Sequence, residues 1–338
     1  MMKSMSSPPS ATGPATMFPR LNPRPQPPPA SKALENFVVT ATRGPFLAAV
    51  VLHYVFLERV YRPVMDRLLN RLKLSERAAF GVMLPLVHSL TYSLSFALFE
   101  FIERNGLFER YRIGRTPGQE PTWEMKRVAF WETARGWPSM MIGGQILYAW
   151  LNHLGAPSLT TPLPSLAYSF KHLALSLFCS NVTFYVIHRA LHYGPLYQRI
   201  HKKHHEFVGV KSVAAQSLHP VESILQTVPI FVGGLIFKTH PLVWLHFLGW
   251  RVYTGMEGHS GYCFRGSWLH RLGLTNADDA AYHDCHHTTW GNFGTYYLDW
   301  LFSTQDYWVA VGEDEGYLAL CKRREEEARK RRDGQLAA

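Results

Sequence analysis

The stretch that decides the fold of this chain is His188-Arg189-Ala190-Leu191-His192, followed eight residues later by His201-Lys202-Lys203-His204-His205. A third cluster, His283-Asp284-Cys285-His286-His287, repeats the spacing of the second near the C-terminus. Because positions i, i+3 and i+4 of a helix share one face, each cluster predicts imidazoles that point the same way. Four ligands suffice for a structural zinc ion, so eight imidazoles predict two metal ions. Imidazole binds iron, zinc, copper and nickel alike, and the ligand type alone does not name the metal.

Apolar segments with few or no charged residues flank the clusters and predict membrane helices. Residues 78–99, 138–153 and 165–187 are apolar, and the last of them ends directly at His188. The predicted metal site therefore begins where a helix leaves the bilayer. A shorter pair, 223–237 and 241–250, predicts either two spans or a re-entrant hairpin.

The remaining segments predict the domain organisation. Residues 1–34 are rich in proline and predict a disordered tail, with an organelle transit peptide left open. Residues 35–136 predict N-terminal membrane helices, an interfacial helix at 59–77 and a polar surface loop at 102–136. Residues 137–311 hold all three clusters and predict the catalytic domain, and residues 312–338 predict a charged tail.

Composition narrows the class of partners and the redox compartment. Lys and Arg total 35 against 25 for Asp and Glu, a net charge of +10 that suits an anionic membrane surface or an acidic protein. The apolar segments and the absence of a nucleic-acid motif argue against nucleic acid. The four cysteines form no CxxC pair and fit a reducing compartment.

The order of the clusters, HxxxH then HxxHH then HxxHH with apolar hairpins between them, resembles the fatty acid hydroxylase / sterol desaturase superfamily of membrane di-iron enzymes. Within that superfamily the chain is most similar to sterol 4-methyl oxidases. Ser217–Glu222 and Glu257–Tyr262 look like two motifs of the sterol branch, and Asn292–Gly294 with Asp299–Thr304 resembles the segment that closes the family domain. Ser303 departs from the family, which usually has glycine there.

The resemblance implies a fold and an activity. The fold is an all-α membrane protein, in which transmembrane helical hairpins lie under a cytosolic helical cap that holds a histidine-rich dimetal site. The activity is oxidation of a lipid C–H bond, at the 4-methyl group of a sterol precursor, with two Fe ions, O₂ and electrons from a cytochrome b5-type or reductase donor. The implied location is the endoplasmic reticulum membrane, with several spans.

The resemblance also assigns site residues. The predicted metal ligands are His188, His192, His201, His204, His205, His219, His259, His283, His286 and His287. Predicted to orient those ligands are Glu222, Glu257, Asp284 and Asp299, and predicted to wall the substrate pocket are Trp290, Phe293 and Tyr296. His219 is alternatively an orienting residue. His88 is interpreted as a hydrogen-bonded residue within the helix bundle, and the other isolated histidines are interpreted as structural.

Other functions stay open at this point. A sphingoid-base hydroxylase or another lipid hydroxylase or desaturase would use the same scaffold. A non-catalytic membrane protein that binds metal belongs to a different class, as does a metal transporter, which would need polar residues along its spans rather than at their ends.

Overall fold

The described chain is built from α-helices, as predicted. The structure is a computed structural model, and it describes residues 25–116, 122–207, 211–276, 280–289 and 291–336. Short 3₁₀ segments at Glu109–Tyr111, His201–Glu206 and Ser212–Gln216 join some of the helices. In chain order the α-helices are α1 (Ala30–Arg71), α2 (Glu76–Arg104), α3 (Trp123–Arg135), α4 (Trp137–His153), α5 (Leu166–Leu191), α6 (Gly194–Arg199), α7 (Pro220–Ile236), α8 (Pro241–Gly258), α9 (Trp268–Arg271), α10 (Ala280–Thr289), α11 (Tyr296–Leu301), α12 (Asp306–Ala310) and α13 (Glu313–Leu336).

Three of these helices, α1, α2 and α5, are long and apolar enough to cross a membrane. The predicted spans 78–99 and 165–187 lie within α2 and α5, and 138–153 forms most of α4. The shorter α7 is also apolar. The prediction of apolar helices that carry a histidine cluster is therefore confirmed.

The first helix corrects two boundaries predicted from the sequence. Residues 30–34, assigned to a disordered tail, and residues 59–71, assigned to a separate interfacial helix, both belong to α1. The helix begins directly after Pro29, because a proline just outside a helix does not obstruct the turns that follow. π-helical turns at Leu52–Tyr61 continue the helix into the predicted interfacial segment. The other residues of the predicted tail up to 24 lie outside the described residues.

The polar segment 102–136 is a second correction, since it contains α3 rather than only a loop. The Thr122 side chain accepts a hydrogen bond from the Met125 amide at 3.2 Å and caps this helix. Lys126 of α3 then pairs with Glu100 of α2. The threonine at the N-cap position was a sequence signal for a helix. The segment was nevertheless assigned as a loop because of its polar, Arg- and Trp-rich composition.

Close helix packing holds the bundle together and places α8 at its centre. A Cβ at Gly81 of α2 would lie 2.8 Å from the Met141 carbonyl oxygen of α4, and a Cβ at Gly233 of α7 would lie 2.5 Å from Ser176 Cα of α5. Only glycine allows backbones to approach so closely. Helix α8 is apolar nearly all round and is buried along most of its length, which is typical of a central helix.

The three histidine clusters meet at one end of the bundle. The first lies at the C-terminal end of α5, the second forms the 3₁₀ segment His201–Glu206, and the third lies on α10. Helix α8 ends beside them, with His259 immediately after its last residue. The predicted division into segments at 136/137 and 311/312 stays a prediction.

Candidate metal centre

Nine histidines converge in two neighbouring groups. Within each group, one nitrogen of every imidazole lies within 4.8 Å of the corresponding nitrogens of the others. The five-histidine group contains His188, His192, His201, His205 and His286, and the four-histidine group contains His204, His259, His283 and His287. Two groups of this size match the number of ligands that two metal ions need.

Each of the two HxxHH clusters contributes histidines to both groups. His201 and His205, spaced i and i+4, join the five-histidine group, while His204 joins the other. The third cluster reverses this arrangement, since His283 and His287 stay together and His286 crosses over. The doubled histidine at the end of each cluster therefore divides its two side chains between the groups.

The Nε2 atoms of the five-histidine group lie at the spacing expected for ligands of one ion. His201 Nε2 is 3.0 Å from His192 Nε2 and 3.0 Å from His205 Nε2, and His192 Nε2 is 3.2 Å from His286 Nε2. A metal–imidazole bond of about 2.1 Å places adjacent ligands at right angles about 3.0 Å apart. The geometry thus fits a shared ion.

Hydrogen bonds at Nδ1 leave the Nε2 atoms of these rings available to bind a cation. His188 Nδ1 donates to the Phe293 carbonyl at 2.7 Å, and His286 Nδ1 donates to the Gly291 carbonyl at 2.6 Å. His201 Nδ1 binds the Glu222 carboxylate at 2.7 Å. A neutral imidazole has one N–H, so Nε2 of each ring carries a lone pair. His188 Nε2 and His201 Nε2 lie 3.2 Å apart, and two lone pairs at that distance are stabilised by a metal ion.

The four-histidine group has similar spacing but less support at Nδ1. His259 Nε2 lies 2.9 Å from His283 Nε2 and 3.4 Å from His204 Nε2, and His287 Nε2 lies 3.1 Å from His283 Nε2. His259 Nδ1 donates to the Gly255 carbonyl at 2.8 Å. Among the described residues, Nδ1 of His204 and of His287 has no hydrogen-bond partner.

Burial keeps these imidazoles in the neutral form that binds metal. Loss of hydration lowers the pKa of His201 to about 2 and the pKa of His259 to about 4. Burial, with repulsion between neighbouring rings, also lowers the pKa well below its usual value for His204, His205, His283, His286 and His287. The donor set is therefore neutral nitrogen, which suits iron and other transition metals.

The four predicted orienting carboxylates are all buried, and two of them support the five-histidine group. Glu222 holds His201 directly, and Gln226 donates to the same Glu222 oxygen at 2.9 Å. Asp299 accepts hydrogen bonds from the amides of Phe293 and Gly294, at 2.8 and 2.9 Å. Asp299 therefore fixes the loop whose carbonyl receives the His188 N–H.

The other two carboxylates bind different neighbours. Asp284 accepts a hydrogen bond from the Tyr317 hydroxyl at 2.8 Å, which ties α10 to α13. Glu257 accepts a hydrogen bond from the Asn276 amide at 3.2 Å. Their predicted role in orienting histidines stays a prediction.

His219 lies outside both histidine groups, and its assignment as a metal ligand stays a prediction. Its Nδ1 accepts a hydrogen bond from the Val221 amide at 3.2 Å and so caps α7. The proline that follows it begins the helix, and this places the His219 ring at the helix end rather than with the other imidazoles.

The predicted pocket aromatics have separate outcomes. The Phe293 ring packs against His192, with ring centres 5.1 Å apart, and covers the five-histidine group, but Phe293 does not line the cavity described below. Tyr296 is buried beside Tyr282 in the core under α13 and does not line the cavity described below, because its position on α11 faces inward. Trp290 lies outside the described residues.

A cavity of about 920 Å³ opens onto both histidine groups. Its wall includes His188 and His204 together with mostly apolar side chains of α4, α5, α7 and α8. A pocket of this size and character suits a lipid-sized ligand.

The sequence interpretation missed two residues of the cavity wall, Glu132 and His88. His88 is buried, and its Nδ1 has no hydrogen-bond partner among the described residues, contrary to its interpretation as a bonded residue of the bundle. An ionisable residue inside an apolar segment was the signal for it.

Comparison with known proteins identifies a family. Residues 173–304 match the fatty acid hydroxylase family model. A Dictyostelium discoideum protein named as a methylsterol monooxygenase is 30% identical over 227 residues, which cover 65% of this chain and 82% of that protein. No solved structure matches this chain.

Two further relatives are named after two different activities. Methylsterol monooxygenase 2-2 of Arabidopsis thaliana is 28% identical over 244 residues, which cover 70% of this chain and 85% of that protein. A very-long-chain aldehyde decarbonylase of Oryza sativa is 29% identical over 240 residues, which cover 68% of this chain and 87% of that protein. The relatives thus include two kinds of named activity on one scaffold.

Proposed function

Because this chain belongs to the fatty acid hydroxylase / sterol desaturase superfamily, we propose that it is a membrane-bound lipid oxygenase. Within the superfamily it is most like the sterol 4-methyl oxidases. The observation that carries the proposal is the meeting of two neutral histidine groups with one apolar cavity. A metal centre at the end of a lipid-sized cavity is the arrangement that oxidation of a lipid requires.

Two Fe ions are proposed as the cofactor, one held by each histidine group. When bound, iron supplies the O₂ chemistry that protein side chains lack. The chain's own residues hold the Nε2 atoms in place through Phe293, Glu222 and Gly291, and burial keeps those atoms unprotonated. The apolar cavity excludes water and holds the lipid carbon beside the centre.

The proposed substrate is a sterol precursor, and the proposed position is its 4-methyl group. The support is the similarity to two proteins named as methylsterol monooxygenases and the two sterol-branch motifs in the sequence. Each round of oxidation places one oxygen atom of O₂ on the carbon and reduces the other to water with two electrons and two protons. Three such rounds convert the methyl group to alcohol, aldehyde and acid.

Electrons must come from a partner in this proposal, because the sequence contains no flavin or haem motif. A cytochrome b5-type protein or a reductase is proposed as the donor. The basic surface of the chain would attract an acidic donor, and the endoplasmic reticulum membrane is the proposed location.

A second candidate is oxidation of a linear lipid, such as a long-chain aldehyde or a sphingoid base. The comparable identity to an aldehyde decarbonylase supports it. Both candidates use the same histidine groups, so the substrate alone separates them.

Lipid profiling of a strain that lacks the protein tests the proposal. We expect 4-methyl and 4,4-dimethyl sterols to accumulate and sphingoid bases and alkanes to stay unchanged. The purified protein with iron, O₂ and an electron donor should then convert the 4-methyl group to the acid. Unchanged sterols together with altered sphingoid bases or alkanes would transfer the assignment to the second candidate.

A further inference from the structure

One acidic residue of the cavity wall is only partly used by the protein. Glu132, in the last turn of α3, lines the cavity. Its Oε1 accepts a hydrogen bond from Lys203 Nζ at 2.6 Å, whereas its Oε2 is buried and accepts none among the described residues. A carboxylate has room for about four hydrogen bonds, so Glu132, whose side chain is about one-third exposed, retains unused acceptor capacity at the cavity wall.

Lys203 connects the Glu132 carboxylate to the four-histidine group. Its Nζ also donates to the Leu218 carbonyl at 3.0 Å, and it directly precedes His204 of the four-histidine group. His204 itself lines the same cavity. The carboxylate and the histidines therefore belong to the same end of the cavity.

The charge of the pair indicates the kind of group that Glu132 can bind. Lys203 already neutralises the carboxylate, so a second cation would bring an uncompensated charge into the cavity. A neutral O–H donor adds no charge and forms a strong hydrogen bond to a carboxylate. An alcohol on the ligand is the best match.

We propose that Glu132 binds a ligand hydroxyl and thereby places the neighbouring carbon at the metal centre. This inference rests on the proposed function, because every sterol has a hydroxyl on the ring carbon next to the 4-methyl position. Glu132 is then a specificity-determining residue that distinguishes sterol alcohols from lipids without that hydroxyl. Lys203 is the positioning residue that holds the carboxylate.

Binding to the metal-free protein tests the inference without turnover. The probes are a radiolabelled 4,4-dimethyl sterol with its 3-hydroxyl, the corresponding 3-ketone, which keeps the oxygen but has no O–H, and the 3-deoxy compound. The unaltered protein should bind the alcohol about 10- to 100-fold more tightly than the other two, the range expected for a hydrogen bond to a charged acceptor. In Glu132→Leu the preference should fall to about threefold or less.

Control variants separate recognition from structure. Glu100→Gln removes a similar charge from the neighbouring Lys126 pair outside the cavity, and it should keep the full preference. Tyr92→Phe removes a buried hydroxyl that lies within electrostatic reach of Glu132, and it should also keep the preference. If Glu132→Leu does not fold, Glu132→Gln replaces it in the binding test. Its preference for the alcohol should be weaker than that of the unaltered protein but above the threefold expected for Glu132→Leu.

The outcomes distinguish the inference from the proposed function. Equal binding of alcohol, ketone and 3-deoxy sterol by the unaltered protein, or an undiminished preference in Glu132→Leu, would overturn the role of Glu132 while leaving sterol binding intact. Failure of the unaltered protein to bind any of the three sterols would instead overturn the sterol assignment itself, and the inference with it.

Discussion

The two histidine groups have nearly the same Nε2 spacing but different support. In the five-histidine group, Nδ1 of His188, His201 and His286 is held by a carbonyl or a carboxylate. In the four-histidine group, His259 has such a bond, whereas Nδ1 of His204 and of His287 has no partner among the described residues. Nδ1 partners fix the tautomer and the ring orientation. In the proposed metal centre, the five-histidine group would therefore be better organised before metal binds, and the four-histidine group would rely more on the metal.

The first and largest predicted effect comes from removing one histidine from each group in turn. His286→Ala should abolish turnover and weaken iron binding in the five-histidine group, which keeps four ligands, while the four-histidine group retains its iron. His204→Ala should also abolish turnover, and its remaining iron should be in the five-histidine group. Elemental analysis with an activity assay checks both variants.

Arg127→Ala is the matched control, because Arg127 pairs with exposed Glu124 far from the histidines. It should retain full iron and full turnover. Loss of both irons in each histidine variant would show that the groups act as one cooperative site, which would break the comparison.

A smaller effect comes from removing an orienting group of the better-supported site. Glu222→Leu should weaken iron binding by about 10- to 100-fold, since it frees the His201 ring to rotate. Iron titration of the metal-free protein, resolved into two binding steps, measures this change. The weakening should be confined to one step.

Glu325→Gln offers a control for the loss of a carboxylate, because Glu325 of α13 binds Arg112 rather than a histidine. Both of its iron-binding steps should match those of the unaltered protein. An equal change in both steps of Glu222→Leu would argue against separate roles for the two groups.

The sequence predicted the helices and the ligands better than it predicted how the ligands are divided. Spacing along a helix is local information, so His283 and His287 were expected on one face and are together. The crossing of His204 and His286 to opposite groups depends on how α10 packs against the 3₁₀ segment, and no local spacing contains that. The cap made by His219 was missed for a different reason. A histidine before proline was assigned by family motif, although its helix-end position was readable.

Residues far apart in the chain explain what could not be predicted at all. The carbonyls of Phe293 and Gly291 become histidine partners only after the loop held by Asp299 reaches α5 and α10. Glu132 reaches Lys203 across 71 positions of sequence. Such contacts depend on tertiary packing, about which composition and periodicity carry no information.

Acid should lower the stability of the metal-free protein by a moderate amount. Between about pH 6.5 and pH 4 the unfolded chain binds protons on its histidines, while folded His259, with a pKa of about 4, binds few. The unfolded state then holds more protons, so stability of the metal-free protein should fall as the pH decreases through this window. Chemical denaturation from pH 7 to pH 4.5 measures that slope. Stability that stays constant or rises as the pH decreases through this window would contradict the neutral, buried state of these histidines.

The smallest predicted effect concerns the histidine that belongs to neither group. His219→Ala should keep two irons and nearly full turnover, because His219 only caps α7 through its bond to the Val221 amide. The expected cost is about 1 kcal/mol in the free energy of unfolding, the usual value for loss of an N-cap. His219→Asn, which restores a capping side chain, should recover most of that loss. Denaturation curves and iron analysis of the two variants measure these changes. Loss of one iron in His219→Asn would mean that the ring binds metal after all, and it would add a tenth ligand to the group that loses the ion.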